Sequence, residues 1–247
     1  MSSTFFESLS ASLQNDESPV VRLLLREYGA VFVAANGVVP PPVMVFSSED
    51  EVASFQNSLS RKTAEIGGHP LTLQRAAMDD LLFAVEAATL AGGSITPRGA
   101  DSAGRSYSDT VALWHSRVEP ALQHWVDQGR LDRRKADEIR RLSPFEQVPE
   151  VFELERQGIF FAKDLSKSII YSVAPPGASQ HLSLLAFDMK EFDDPTSRSI
   201  MNRHGWFQTV VSDLPHFTYL GAREDQLHGL GLRRADKDGR AFWIPEL

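Results

Sequence analysis

Residues 179–189 read SQHLSLLAFDM and place His181 and Asp188 in an otherwise apolar segment. Short apolar runs of this kind are typical of buried strands, where a polar side chain needs a partner. In a strand–turn–strand arrangement, the six residues between them can return the aspartate to the side of the histidine. Spacing alone leaves two interpretations open: separate side chains that are each hydrogen-bonded, or two ligands of one ion.

A third candidate ligand follows in SDLPHFTYL, residues 212–220. His216 begins a β-like run there, and Pro215 fixes the backbone just before it. A tetrahedral catalytic zinc site uses three protein ligands and leaves one position for water. Because the chain contains no cysteine, its metal ligands must come from His, Asp and Glu. The three side chains therefore form a candidate zinc site, with two separately satisfied histidines and a surface aspartate as the alternative.

The composition is that of an ordinary globular protein. The chain has 247 residues, of which 42% are hydrophobic and 23% charged, so a sizeable core is expected. The formal net charge of −8 argues against a nucleic-acid partner, because nucleic-acid-binding surfaces are basic. No apolar run reaches about 18 residues, so we expect no membrane span. The N-terminal residues show no secretory pattern, and the compartment and oligomeric state stay open.

Residues 1–68 predict an N-terminal α/β extension that ends at the turn EIGGHP, residues 65–70. Local patterns predict, in chain order, a helix over 20–30 closed by Gly29, strands over 30–36 and 43–46, and a helix over 47–61 capped by Ser47 or Ser48.

Residues 69–247 are predicted to form the main domain. The pattern predicts helices over 71–93, 111–129 and 131–143, followed by strands over 167–174, 184–189, 205–211 and 216–220. The second helix carries four apolar residues on one face, Trp114, Val118, Leu122 and Trp125. Because helices precede strands, the expected fold class is α+β, with a small antiparallel sheet flanked by helices.

Three motifs carry a resemblance to a known family. PPGASQHLSLLAFDM, residues 175–189, resembles the metal-binding segment of zinc D-alanyl-D-alanine carboxypeptidases of the vancomycin-resistance type, within the hedgehog- and lysostaphin-like metallopeptidase superfamily. The residues that match the family pattern P-G-x-S-x-H-x-x-G-x-A-x-D are Pro176, Gly177, Ser179, His181, Ala186 and Asp188. DLPHFTYLG, residues 213–221, is similar to E-P-W-H-F-R-Y-x-G, and SAGRSYSDTVALW, residues 102–114, to S-G-Y-R-S-Y-x-x-Q. The motifs occur in family order across residues 73–222.

The resemblance implies a zinc site on the sheet and a catalytic base. His181, Asp188 and His216 would be the zinc ligands, and zinc would activate a water molecule near neutral pH. Asp213 occupies the position of the family glutamate that acts as general base. The implied sheet has about four strands and holds the zinc in its concave face.

Substrate-binding residues are implied around the same site. Arg105 would hold the terminal carboxylate of the substrate. Both groups are planar, and a guanidinium can donate to the two carboxylate oxygens at once. Ser179 would hydrogen-bond the substrate or orient its loop, and Ser106 belongs to the same substrate-binding motif as Arg105. Arg98 is a second cation nearby, which either shares this recognition or pairs with Asp101.

Three positions depart from the family pattern. Leu184 replaces a glycine, which predicts a different backbone path or a narrower cleft. Pro215 replaces a tryptophan and removes an aromatic wall. Asp213 is one methylene shorter than the family glutamate, so the backbone must stand closer to the metal or a water must intervene.

The expected activity is zinc-dependent hydrolysis of D-Ala-D-Ala-type bonds, with a peptidoglycan stem peptide or another D-Ala-terminated peptide as the substrate and partner. An L,D-carboxypeptidase or endopeptidase of the same superfamily is the alternative enzyme. A catalytically silent, zinc-containing module that binds a peptide or glycan is the alternative from another class. The resemblance suggests the bacterial cell envelope or periplasm, and a cytoplasmic location stays open.

Overall fold

The computed structural model describes residues 4–9, 11–14 and 18–247. It has the α+β fold predicted from the sequence, with small antiparallel sheets and about nine helices in this part of the chain. The chain divides into two compact units. The first comprises the described residues up to Met44, Ala53–Arg105 and Gln180–Leu247, and the second comprises Val45–Val52 and Ser106–Ser179.

The α-helices are α1 (Thr4–Ser8), α2 (Ala11–Gln14), α3 (Pro19–Tyr28), α4 (Glu49–Ser58), α5 (Arg75–Leu90), α6 (Tyr107–Asp127), α7 (Arg133–Arg141), α8 (Pro144–Arg156) and α9 (Pro195–Arg203). The strands are β1 (Arg61–Ile66), β2 (His69–Gln74), β3 (Ala186–Asp188), β4 (Trp206–Phe207), β5 (His216–Tyr219), β6 (Leu232–Lys237) and β7 (Arg240–Pro245). In the ranges that the structure describes, no helix combines the length and apolar character needed to cross a membrane.

The sheet that carries two candidate ligands has three antiparallel strands in the order β3–β5–β4. Its register pairs Asp188, the last residue of β3, with His216, the first residue of β5. The four-stranded expectation is wrong, because the predicted strand at 167–174 contains a 3-10 turn, Ile169–Tyr171. The N–H of Ile169 donates to the buried carboxylate of Glu155 at 2.6 Å, so that segment is held locally rather than by a neighbouring strand.

Residues 18–58 match the helix predictions and contradict the strand predictions. Helix α3 ends at Gly29, and Ser48 caps α4 by accepting from the N–H of Glu51 at 3.2 Å. The predicted strand at 30–36 is instead a 3-10 helix, Gly29–Val33, in which consecutive side chains are buried. The predicted strand at 43–46 is irregular. Apolar, β-branched composition correctly indicated burial here but not backbone conformation.

The turn at 65–70 joins β1 to β2 as an antiparallel hairpin. Gly67 and Gly68 both adopt positive φ, +58° and +82°, which glycine does at little cost. Residues on both sides of this turn lie in the first unit. Leu71 and Leu73, predicted to begin a long helix, are buried in β2 instead, and α5 begins at Arg75.

The second unit is built around α6. Its four predicted apolar residues are all buried, and Ser106 and Asp109 form a capping box at its start, which satisfies N–H groups that the first turn leaves free. Glu155 of α8 accepts from the N–H groups of Phe161 and Ile169 and from the hydroxyl of Ser168.

A 3-10 turn, Gln180–Ser183, carries His181 where the sequence predicted a strand. The next residue, Leu184, has φ +58°, the left-handed conformation that favours glycine. The backbone at this departure from the family pattern therefore keeps a glycine-like conformation with a leucine in it. The leucine side chain is buried, and its packing offsets the strain of the left-handed backbone.

This strain predicts an unusual order of stability. Leu184→Gly and Leu184→Ala both remove buried side-chain packing worth about 2–5 kcal/mol. Only glycine relieves the strain, so we expect the glycine variant to be more stable by about 1 kcal/mol in urea unfolding. Leu182 is equally buried and is not among the described residues with positive φ. At Leu182 alanine should be the more stable substitution, and the same order at both positions would contradict the strain.

Candidate metal centre

The three predicted ligands lie together in the first unit. One ligand atom from each of His181, Asp188 and His216 falls within 4.8 Å of the other two. His181 Nε2 is 3.3 Å and His216 Nδ1 is 3.1 Å from the same oxygen, Oδ1 of Asp188. All three residues are buried. This group could hold a metal ion.

Local structure brings these side chains to one place. The 3-10 turn presents His181 just before β3, and Asp188 ends that strand. Antiparallel pairing sets His216 directly opposite Asp188, and directly opposite residues project to the same face. The Asp188 backbone is held by its neighbours, since its N–H donates to the Ser102 carbonyl at 2.8 Å and its carbonyl accepts from the Arg98 N–H at 3.1 Å.

Hydrogen bonds define which nitrogen of His181 faces the cluster. Nδ1 lies 2.9 Å from the carbonyl oxygen of Ala103. A carbonyl only accepts, so Nδ1 donates to it. Nε2 is the nitrogen that faces Asp188, 3.3 Å from its Oδ1.

Gln180 defines the tautomer of His216 in the same way. Its Nε2 donates to the Tyr28 carbonyl at 2.8 Å, which turns its Oε1 toward Nε2 of His216 at 2.8 Å. Thr218 donates its hydroxyl to the same Oε1 at 2.5 Å. His216 therefore donates from Nε2 to Gln180, and Nδ1 is the ring nitrogen that faces Asp188, 3.1 Å from its Oδ1.

Gln180 and Thr218 are site residues that the sequence analysis did not single out. Thr218 lies two residues after His216 on β5, and residues two apart on a strand share a face. Its hydroxyl also lies 2.6 Å from the hydroxyl of Thr209. A search of the positions next to each candidate ligand for hydrogen-bonding side chains would have found Gln180 and Thr218.

The pKa values follow from burial and from the neighbouring groups. Burial alone would raise the pKa of Asp188, but the charges and hydrogen bonds of His181 and His216 outweigh it and hold that pKa well below its usual range. Burial lowers the pKa of His181, and Asp188 offsets this only in part. Asp188 is therefore ionised at neutral pH.

Arg105 also reaches the cluster. Its Nη2 is 3.2 Å from Oδ2 of Asp188, and its side chain is mostly buried. The side chain of Gln56 donates to the Arg105 carbonyl at 3.3 Å and to the Leu182 carbonyl at 3.0 Å. The structure therefore places the predicted carboxylate-binding cation against the carboxylate of a predicted ligand.

The other predicted site residues take different positions. Asp213 is exposed, in the turn before β5, and its carbonyl accepts from the His216 N–H at 3.1 Å. Arg98 is also exposed and contacts the site through its backbone. Ser106 and Ser179 belong to the second unit, where Ser106 caps α6 and Ser179 is buried.

Comparison with known proteins adds no relative. No protein-family model matches this chain, and no curated protein sequence matches it.

Proposed function

We propose that this protein is a zinc-dependent metallopeptidase that hydrolyses D-Ala-D-Ala-type bonds. The observation that carries the proposal is the convergence of three electron-pair donors, His181 Nε2, Asp188 Oδ1 and His216 Nδ1. A single cation can bind all three atoms once the imidazole nitrogens that face it are unprotonated. Two imidazoles and one carboxylate are also a recognised ligand set for catalytic zinc.

The donor set fits zinc better than harder cations. Calcium and magnesium favour oxygen ligands in larger number, whereas zinc accepts imidazole nitrogen readily. A zinc ion bound here would supply an activated water and polarise the scissile carbonyl. The buried Ala103 carbonyl and the Gln180 amide orient the two imidazoles toward that position, and such partners strengthen metal ligands.

Arg105 and Asp213 take the remaining roles in the proposal. Arg105 exchanges its contact with Asp188 for the terminal carboxylate of the peptide, to which it donates two parallel hydrogen bonds. Asp213 accepts a proton from the attacking water and passes it to the leaving amine. Its exposed turn position requires an intervening water or movement of the turn.

That exposed position also favours a second candidate function. A zinc-containing module without an effective general base would bind a D-Ala-terminated peptide and not hydrolyse it. The two candidates share the metal site and the role of Arg105, and they differ only in turnover.

Peptidase activity of the zinc-loaded protein tests the proposal. We expect release of D-alanine from a D-Ala-D-Ala-terminated peptide, and Arg105→Lys should lower kcat/KM by about 10–100-fold, mainly through KM, because lysine cannot replace the two parallel hydrogen bonds. Arg156→Lys, in an exposed ion pair with Glu153, is the matched control and should behave as wild type. Zinc content is measured for every variant.

Each contrary outcome has a distinct meaning. Peptide binding without turnover would exclude the peptidase and leave the silent module. Turnover of an L,D-linked or cross-linked peptide in place of D-Ala-D-Ala would move the activity to the alternative peptidase of the same superfamily. Wild-type kinetics for Arg105→Lys would exclude the carboxylate-binding role of Arg105.

A further inference from the structure

A cleft of about 580 Å³ lies in the first unit and shares no residue with the metal-binding cluster. One face of α9 forms a wall, and the start of the 3-10 helix Glu224–Leu230 and the β6–β7 hairpin form the other side. The residues that matter for its chemistry are Arg198, Arg203, Arg223, Arg234, Glu224 and Gln208. We refer to it as the arginine cleft.

The charge of the arginine cleft is opposite to that of the whole protein. Four arginines and one glutamate line it, whereas the chain carries a net charge of −8. Neutral hydrogen-bonding side chains, Ser199, Asn202 and Gln208, complete the polar part of the lining. A basic concavity on an acidic protein concentrates anions by attraction at short range.

Arg198 is fixed in position without a ligand. Its Nη1 donates to the carbonyls of Phe192 at 3.1 Å and Asp193 at 2.9 Å. Burial lowers the pKa of Arg198, and the charge of nearby Arg240 lowers it further, although Asp193 and Asp194 act in the opposite direction. An anion in the cleft would stabilise this partly desolvated guanidinium.

The other arginines keep hydrogen-bonding capacity for a ligand. Arg223 uses two of its N–H groups on Asp225, and Arg234 uses two on Asp236. A guanidinium has five N–H donors, and exposed ion pairs of this kind are weak. Both side chains are solvent-exposed at the cleft and can exchange these carboxylates for a more highly charged anion.

We propose that the arginine cleft binds a small ligand with two or more phosphate groups. Guanidinium groups bind phosphate oxygens in pairs. Four arginines and one glutamate give the lining a net positive charge, which a ligand with two or more phosphate groups would balance better than a single phosphate. Two of the neutral side chains already have protein partners, since Ser199 accepts from Arg203 and the Gln208 amide donates to the Leu214 carbonyl, so the arginines are the groups that recognise the ligand. This site is independent of the proposed peptidase activity, since it uses different residues.

Calorimetric titration with sodium tripolyphosphate at low ionic strength tests the proposal. We expect saturable binding that weakens as salt is added. The double substitution Arg223→Ala with Arg234→Ala should weaken it by at least about tenfold, because removing a charge-assisted hydrogen bond reduces affinity by that order. The control is Arg233→Ala, which removes a neighbouring charge on β6 that does not line the cleft and should change affinity less than about twofold.

Further binding measurements identify the class of ligand and show that this site is separate from the metal centre. Tighter binding of ADP than of tripolyphosphate would indicate a nucleotide, and the reverse order would indicate an inorganic phosphate chain. His181→Ala should bind these probes as wild type does, whether or not the protein is a peptidase. Absence of binding to every phosphate probe, or equal weakening by Arg233→Ala and the double variant, would overturn the proposal. Thermal unfolding checks that each variant is folded.

Discussion

Replacing Asp188 with asparagine is expected to remove stoichiometric zinc binding from this protein. The substitution keeps the side-chain shape but removes the one negative charge to which Arg105 and both imidazoles point. We expect zinc affinity to fall by at least about a hundredfold, since the site then lacks its ionised ligand and only three protein ligands hold the metal. Competition with a chromogenic chelator measures the affinity, and elemental analysis measures the stoichiometry.

The same substitution should also destabilise the metal-free protein. Removal of one partner from a buried ion pair leaves Arg105 uncompensated and costs about 3–5 kcal/mol. The pKa of Asp188 is lowered in the folded protein, so its stabilising contribution is present at neutral pH and disappears as the pH falls through the folded pKa. The difference in unfolding free energy between wild type and variant should therefore shrink in acid.

Asp79→Asn is a suitable control for both measurements. Asp79 pairs with Lys62 at 2.5 Å, but both side chains are about a third or more exposed, so removing the pair should cost less than about 1 kcal/mol and leave zinc binding unchanged. Unaltered zinc affinity in the Asp188→Asn protein would show that the three convergent groups are not the metal site.

The three candidate ligands could be singled out from sequence because metal chemistry restricts residue type. In a chain without cysteine, a histidine and an aspartate within an apolar segment need partners, and the motif around His216 supplied the third. The convergence of the three side chains depends on the β3–β5 register, which these short, fully buried strands do not reveal in the sequence. Gln180 was harder to find, because a glutamine beside a ligand has no distinctive pattern until its contacts are known.

The errors in secondary structure have two physical causes. Residues 30–36 and 43–46 are rich in valine. This composition indicates that the segments are buried, but a 3-10 helix or an irregular segment can be buried as well as a strand can. Over residues 71–93 the helical spacing of apolar residues includes Leu71 and Leu73. These two residues lie in β2, and the pairing of β2 with β1 overrides the helical pattern. Composition alone was misleading in the first two places, and strand pairing overrode the local pattern in the third.

Two other elements were predictable from local chemistry. Ser143 and Glu146 form a capping box at the start of α8, the S-x-x-E pattern that precedes many helices. Asp238 and Gly239 form the β6–β7 turn with φ of +50° and +73°, and Asp-Gly is favoured in such two-residue hairpins. Both patterns are short, so a search based on apolar periodicity over longer segments does not detect them.

Gln180 is expected to act on the metal through His216. Its Oε1 accepts from His216 Nε2 and from the Thr218 hydroxyl, and its Nε2 is held by the Tyr28 carbonyl. Gln180→Leu would preserve most of the volume and remove the acceptor that defines the His216 tautomer. Removing such a partner typically weakens metal affinity by about 10–100-fold, and we expect a change of that size in chelator competition.

Two matched substitutions separate this positioning role from simple damage to the core. Gln180→Glu keeps an acceptor toward His216 and should retain zinc affinity within about fivefold, although it cannot donate to the Tyr28 carbonyl. Thr209→Val removes a buried hydroxyl that contacts Thr218 but not Gln180, so it should reduce stability without changing zinc affinity.

The visible spectrum of the cobalt-substituted protein gives a second measurement, because it depends on ligand geometry. Gln180→Leu should alter that spectrum and Thr209→Val should not, since only the first releases the imidazole that the glutamine holds toward Asp188. Equal zinc affinity and an unchanged cobalt spectrum in Gln180→Leu would mean that β5 alone orients His216.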